Sequence, residues 1–431
     1  MLVLTLQEFF RVKAEPCESK DRGLVKSPVL VVGWIPRIIV AIARSLDAHG
    51  VPVDVANWAT GYPIRSRAVR EFVRLPNPEN VPTDFMGALR SLIKKRGHDM
   101  VIPTDDQALT SVVEHYDDLK DLAHVACPPP SITRLVLNKA CTLELAEKHG
   151  IRVPKSILVA HSQELDQLVD TLPFPWILKP AEKEQHEEEF KSSKLDSAAE
   201  LKRKFPTPRA FSPNILLQEY CEGAGVGIEM LIQKGECQAV FQHRRLKELP
   251  YSGGVAVVAI SEQPDPALVQ SSLTLLRALQ WDGVAMVEFK VDPAEGTAIL
   301  MEVNGRYWGT IGLPISAGLD FPLLHWKVVH GESVNASGVG AVGIKWRWTM
   351  GYVARLHGLL TTAFRSNIAR QALYDNLLHF SADFGRGIHD PMLKISDPGL
   401  VLTESLRTTG YLFASTLGPL RRRLIPTLHT G

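Results

Sequence analysis

Residues 284–310, Val-Ala-Met-Val-Glu-Phe-Lys-Val-Asp-Pro-Ala-Glu-Gly-Thr-Ala-Ile-Leu-Met-Glu-Val-Asn-Gly-Arg-Tyr-Trp-Gly-Thr, decide how this chain is read. Two apolar runs rich in β-branched residues flank a turn cluster from Asp292-Pro293 to Gly296-Thr297, the pattern of a β-hairpin. A turn centred near Glu295 makes paired positions sum to 590, so Glu288 faces Glu302. Asn304 lies two residues on, on the same face. Like charges facing across a ladder destabilise it, and the flanking runs are too apolar for a solvated edge. A divalent cation between the carboxylates would relieve the conflict, because two carboxylates and an amide oxygen are hard ligands suited to Mg²⁺ gripping substrate phosphates. The competing expectation is a surface hairpin with two exposed glutamates.

Around this hairpin, composition sets bounds. The 431 residues are 45% hydrophobic and 22% charged, an ordinary globular balance with the length of roughly three domains. Lysine plus arginine (48) and aspartate plus glutamate (47) nearly cancel, which gives no support to a nucleic-acid partner. Five cysteines, at 17, 127, 141, 221 and 237, are scattered without CxxC spacing. Free thiols in a cytoplasmic protein are expected, not a disulfide framework or a zinc site. Met1-Leu-Val-Leu-Thr-Leu-Gln-Glu-Phe-Phe-Arg lacks the basic start of a secretory leader. The apolar run from Gly410 to Leu420 is too short to span a bilayer.

N-terminal to the hairpin, Ser27-Pro-Val-Leu-Val-Val-Gly33 reads as a buried parallel strand, Ile38–His49 as a helix and Val51–Ala56 as a second strand. Phe85–Arg96 is a further helix, and Asp99–Pro103 a third strand ending in Thr104-Asp105-Asp106. Alternating β and α units predict an open parallel α/β layer over residues 27–130, with ligands at the carboxyl ends of its strands. Residues 1–26 carry no pattern and read as an arm. Gly33 does not open a GxGxxG turn, and Cys127-Pro-Pro-Pro130 closes the layer. Helices over Ser131–His149 precede a strand Phe174–Pro180, a charged loop Ala181–Lys194, a helix Asp196–Phe205 capped by Asp196 and a strand Asn214–Tyr220. A hairpin and turn over Gly227–Gly254 and a helix Pro266–Gln280 follow. Residues 336–431 read as mainly helical, with stretches over Tyr352–Phe380 and a basic Arg421-Arg422-Arg423 run that suits the end of a helix better than a membrane contact.

The order of the charged residues then matters. Lys139 opens a helix in Leu-Val-Leu-Asn-Lys, Lys179 ends a strand, and Gln218-Glu219-Tyr220-Cys221-Glu222-Gly223 ends another, followed by Ala224-Gly-Val-Gly-Ile-Glu229. This order, closed by Glu288 and Glu302-Val-Asn304-Gly-Arg306, resembles the ATP-grasp superfamily over roughly residues 27–330. Its carboxylate–amine ligases include D-alanine–D-alanine ligase, biotin carboxylase and carbamoyl-phosphate synthase. The resemblance implies an α/β (α+β) ATP-grasp fold: a pre-ATP-grasp domain at 27–130, an ATP-grasp domain at 131–335 and a helical region at 336–431. Within the middle domain the smaller lobe is expected at about 150–215 and the larger at about 216–335.

The resemblance also implies roles. Lys139 and Lys179 would bind the nucleotide phosphates with compact positive charge. The Gln218 side-chain oxygen, the Glu219 carbonyl and the Cys221 amide would read adenine, and Glu229 would bind ribose. Glu288, Glu302 and Asn304 match metal ligands that hold one or two Mg²⁺, or Mn²⁺ in their place, against ATP. Arg306 would face a transferring phosphate or acyl phosphate with its planar fork. Arg245, supported by His243, would stand beside the carboxylate or phosphate, while Arg244 points away. The turn Ser252-Gly253-Gly254 offers bare amides to an anion. Asp105 and Asp106 suit either an amine substrate or the cap of the next helix, and Trp308 reads as core.

Two departures from the family are visible. Gly305 stands where proline is common, and Glu182–Lys191 is acidic and lacks glycine where a glycine-rich loop often covers the phosphates. The activity implied is an ATP-dependent carboxylate–amine ligase: Mg-ATP phosphorylates a carboxylate, and an amine attacks the acyl phosphate to form an amide. Positioning and charge stabilisation would do most of the catalysis. The expected partners are ATP, a small carboxylate and a small amine, with no nucleic acid, no transmembrane segment, and a homodimer as an admissible assembly. The alternatives are a carboxylate kinase of carbamoyl-phosphate-synthase type that releases the acyl phosphate, and a non-catalytic ATP-binding module, which the glycine-free loop favours.

Overall fold

The computed structural model describes residues 26–58, 63–168, 173–183, 192–205, 210–251, 253–334, 338–364, 366–385 and 387–416. The arm at 1–25, most of the charged loop (184–191), Ser252 and the Arg421–Arg423 run lie outside the described residues.

Val29-Leu-Val-Val32 has no polar face, and the fold buries it on both sides. It forms β1 (Val29–Val32) at the centre of a five-stranded parallel sheet with β2 (Val53–Asn57), β3 (Glu71–Arg74), β4 (Met100–Pro103) and β5 (His124–Val125), in the order β3-β2-β1-β4-β5. The order reverses between β1 and β4, so their carboxyl ends border a crevice. Helix α1 (Pro36–Ala48) starts on a proline whose missing N–H costs nothing in the first turn, and it buries Ile38, Ile39, Ile42 and Leu46. Helix α2 (Asp106–Glu114) begins at the end of β4, where Asp105 accepts from the Ala108 amide at 2.9 Å as its N-cap. Strand β3 was not expected from the sequence; its Glu71 and Arg74 ends are polar because it is an edge strand.

A second sheet has the order β6-β9-β7-β8, from β6 (Ser156–His161), β7 (Trp176–Pro180), β8 (Ser193–Leu195) and β9 (Ala210–Glu219). One face closes a small core of its own around Trp176, Leu178, Ile215 and Leu217. The register pairs Lys179 with Leu216 and Ile177 with Gln218, placing Lys179 and Gln218 on the other face. The helix after β8 runs Ala198–Lys204, and its cap is Ser197, whose hydroxyl accepts from the Glu200 amide at 3.3 Å. The expected cap, Asp196, lies one residue too early and pairs with Lys194 at 2.9 Å.

The third sheet has seven strands: β10 (Ala224–Gln233), β11 (Glu236–Leu249), β12 (Val255–Glu262), β13 (Gly283–Val291), β14 (Ala298–Asn304), β15 (Lys345–Arg347) and β16 (Ile388–His389), ordered β14-β13-β10-β11-β12-β15-β16. Val255–Glu262, to which the sequence assigned no element, is a largely buried strand. Residues 336–431, expected to be mainly helical, also contribute two short strands, β15 pairing with β12 and β16 with β15.

One face of this sheet buries Ile228, Ala285, Val287 and Leu300 in a core shared with helix α3 (Lys139–Lys148) and the Pro266–Ala278 helix. The other packs Phe241, Met286, Trp308 and Trp346 onto α1, in a core continuous with the first layer. Helices α4 (Thr349–Thr362), α5 (Asn367–Leu378) and α6 (Pro398–Thr416) complete the C-terminal region. No described helix is long and apolar enough to cross a membrane.

Candidate active site

Strands β13 and β14 meet with Glu288 paired to Glu302 and Met286 to Asn304. Beyond Glu288 the register slips by one and Phe289 pairs with Leu300, so a bulge at Met301 displaces the turn and leaves the acidic pair aligned. Protein cations compensate the facing charges. Arg245 of β11 reaches across β10 and ion-pairs with Glu288. Glycine makes that reach feasible: a Cβ on Gly225 would come 3.0 Å from the Arg245 side chain, and one on Gly227 would come 2.5 Å from the His243 ring. Lys183 lies 3.9 Å from Glu302 and donates to Asn304 Oδ1 at 3.3 Å and to the Val303 carbonyl at 2.5 Å. Asn304 donates to Glu302 at 3.1 Å. The sequence reading missed Lys183; its signal was the second ammonium four residues after Lys179, masked by the acidic residues around it.

Their neighbours drive the two carboxyls apart, since desolvation raises both. Desolvation pushes Glu288 above the ordinary carboxylate range, and the charge of Glu302 adds to the rise against the pull of Arg245. Desolvation acts on Glu302 too, but Lys183, Lys139, Lys179 and the Asn304 amide together hold it below that range. Lys139 sits at the start of α3, donates to the Pro180 carbonyl at 3.1 Å, and is lowered to about 8, first by desolvation and then by the other lysines. Lys179, 8% exposed, is likewise lowered by burial, with Glu302 and Glu288 opposing. The oxygens of Glu288, Glu302 and Asn304 form a hard donor set, and the cations already drawn to it show that it calls for positive charge. It therefore fits Mg²⁺ or Mn²⁺ carried with a polyphosphate. Among the described residues no cluster of three or more His, Cys, Asp or Glu side chains could hold a metal; this set has only two carboxylates and completes itself with an amide.

A family model described as "ATP-grasp in the biosynthetic pathway with Ter operon" matches residues 211–350, which include β10–β15 and this acidic pair. The structure resembles L-amino acid ligase from Bacillus licheniformis at a TM-score of 0.59, with 18% identity over 74% of this chain and 79% of that one. It also resembles the biotin carboxylase–β-γ-ATP complex from Campylobacter jejuni (0.58; 12%; 74% and 75%) and N5-carboxyaminoimidazole synthetase from Staphylococcus aureus (0.54; 13%; 73% and 80%). The chain has the ATP-grasp fold. No curated protein matches it in sequence.

Elsewhere in the ATP-grasp cleft the expected residues divide. Gln218 is fully buried; its amide donates to Ser156 at 3.0 Å and its Oε1 has no partner. Glu219 ends β9 exposed, its N–H donating to the Lys155 carbonyl at 2.8 Å. Cys221 is buried, and its thiol approaches the Glu219 carbonyl at 3.7 Å. Arg244 points away as expected and pairs with Glu262 at 2.5 Å.

Glu229 and His243 depart from their expected places. They form a closed pair, Oε1 to Nδ1 at 2.6 Å, without solvent exposure. Glu229 is paired across the sheet with Phe241 and Met286 of the core, and its Oε2 and the His243 Nε2 are buried without a hydrogen-bond partner. Arg306 also departs. The chain leaves extended geometry after Asn304, and its guanidinium closes on Asp106 at 2.8 and 2.7 Å, not on the Asn304 face. Asp106 is thereby taken by Arg306, and Asp105 by the cap of α2 and the Trp34 amide at 2.8 Å. Gly305 is explained: a Cβ there would lie 2.3 Å from the Trp281 ring, so the family's common proline does not fit. Trp308 is core, edge-on to Phe321.

Proposed function

We propose that the protein is an ATP-dependent carboxylate–amine ligase that forms an amide through an acyl phosphate. The observation that carries this reading is the half-buried, facing Glu288–Glu302 pair, flanked by Asn304 and acted on by Lys139, Lys179 and Lys183. Hard oxygens surrounded by ammonium groups suit a metal-bound polyphosphate. Support also comes from the fold's resemblance to L-amino acid ligase and biotin carboxylase. Glu288, Glu302 and Asn304 would hold one or two divalent cations, which supply charge neutralisation while the phosphoryl group moves.

The chain's own groups would act as follows. Lys139 and Lys179 hold the phosphates of ATP. The Gln218–Cys221 strand end takes adenine, and the unpartnered Gln218 Oε1 gains a donor there. Arg245, beside Glu288, steadies the negative charge of the acyl phosphate. Arg306, tied to Asp106, positions the end of β14 and does not itself touch phosphate. A carboxylate oxygen attacks the γ-phosphorus and ADP leaves; the amine nitrogen then attacks the acyl carbon, phosphate leaves, and the nitrogen loses a proton. Release of ADP against pooled carboxylates and amines tests the reading. Dependence on both substrates supports the ligase, dependence on the carboxylate alone points to the kinase, and ATP binding without turnover points to a binding module.

A further inference from the structure

Arg37, in the first turn of α1, is a buried cation that makes no ion pair among the described residues. It is 7% exposed, and its Nε meets no acceptor. Among the described residues no carboxylate lies within ion-pair distance of it; Glu404 of α6, whose charge reaches it, is paired with Arg407 at 2.8 Å. The neighbouring arginines differ: Arg306 is closed on Asp106, and Arg245 on Glu288. Burying an unpaired guanidinium is costly. Desolvation lowers Arg37 to about 10, with the charge of Arg306 adding to the effect. A bound anion would offset both.

The surroundings are built to hold that fork still. Arg37 stacks on the Trp348 ring, 4.4 Å from its centroid. It also presses on Gly309, where an added Cβ would lie 2.9 Å from Nε and 3.0 Å from Nη2. The place is the crevice at the carboxyl ends of β1 and β4, where open α/β sheets take their ligands. Gly33 (φ +148°) packs so closely on the end of β4 that a Cβ would strike Thr104 Oγ1 at 2.1 Å. Ile35, the N-cap of α1, has no side-chain acceptor for the first-turn amides. The crevice adjoins the ATP-grasp cleft through Arg306, whose charge acts on both Glu302 and Arg37.

We propose that Arg37 binds a carboxylate that survives the reaction, so that the amine substrate is itself an acid of amino-acid type, with Trp348 as the wall of its subsite. The proposal rests on the ligase reading above. A planar fork takes a carboxylate in two parallel hydrogen bonds, whereas the carboxylate to be phosphorylated belongs beside Glu288 and Glu302. It also gives the C-terminal region, which contributes Trp348, a part in the site.

Two measurements on the full chain test it. In the first, the enzyme is assayed with glycine against methylamine and with β-alanine against ethylamine. The wild type should favour the carboxylated amine. Arg37→Met should raise the KM of the carboxylated amine roughly 10- to 100-fold, and Arg37→Lys by less, with the KM values of ATP and the acyl donor unchanged. An unchanged amine preference in Arg37→Met overturns the proposal. In the second, the arginine Nε–Hε resonances of ¹⁵N-labelled protein are titrated with sodium acetate against sodium chloride of equal ionic strength. The resonance missing from Arg37→Lys should shift and saturate with acetate only. A resonance indifferent to acetate overturns the proposal, even if Arg37→Met fails to fold. A saturable shift in a protein that shows no ADP release retains the anion subsite and rejects the ligase reading.

Discussion

Glu302 is acted on by three lysines from two segments of the chain, Lys139 at the start of α3 and Lys179 and Lys183 at the end of β7. Glu302→Gln keeps its shape and removes its charge. We expect Mg-dependent ADP release to fall at least about 100-fold with the melting temperature nearly unchanged; retained full activity would remove the metal assignment. Lys139 predicts a pH limb. A lysine lowered to about 8 is charged below that pH and neutral above it. The affinity of the free protein for ATP should therefore weaken as pH rises through about 8, and Lys139→Arg, which stays charged, should flatten the limb in an equilibrium titration. At this scale the sequence was informative through its alternation, which set Glu288 opposite Glu302 with Asn304 on the same face. It was silent on Lys183, hidden among acids, and on Arg37, whose meaning depends on what fails to reach it. It gave Glu229 to a ribose, whereas the fold buries that carboxylate against His243.

Among the elements, the acidic hairpin was legible through its turn, and only the bulge at Met301 escaped, since a bulge answers to cross-strand packing. Strand β12 was missed because Val255–Ile260 follows a turn and lacks polar alternation; both of its neighbours had to be known. The segment after β14 makes a testable point. Gly305 faces the Trp281 ring, which is anchored through its Nε1 donating to the Val284 carbonyl at 3.2 Å. Gly305→Ala should destabilise the protein by about 1–3 kcal/mol through overpacking, read as a lower urea midpoint, and Trp281→Phe in the same chain should recover part of it. An unaltered midpoint would mean that the ring yields freely.

For the whole molecule, the parallel α/β layer was legible in the alternation of its strands and helices, while two short strands within the mainly helical tail were not. Lys345-Trp-Arg347 is too short to announce a strand, yet it covers β12 and sinks Trp346 into the core shared with α1. A chain ended at residue 337 should leave β12 as a bare edge and should pellet on expression or elute as aggregate in size exclusion. A stable monomer would show the tail to be dispensable.

The Arg306–Asp106 clamp has a mechanical consequence. With the acidic hairpin bolted to the first layer and a common core behind both, the four-stranded sheet, which has an interior of its own, would be the part to swing like a jaw. Departure of ADP would then be paced by that swing, so steady-state turnover should slow in proportion to added glycerol viscosity. Cutting the bolt with Asp106→Asn should blunt that dependence, because the hairpin would loosen together with the jaw.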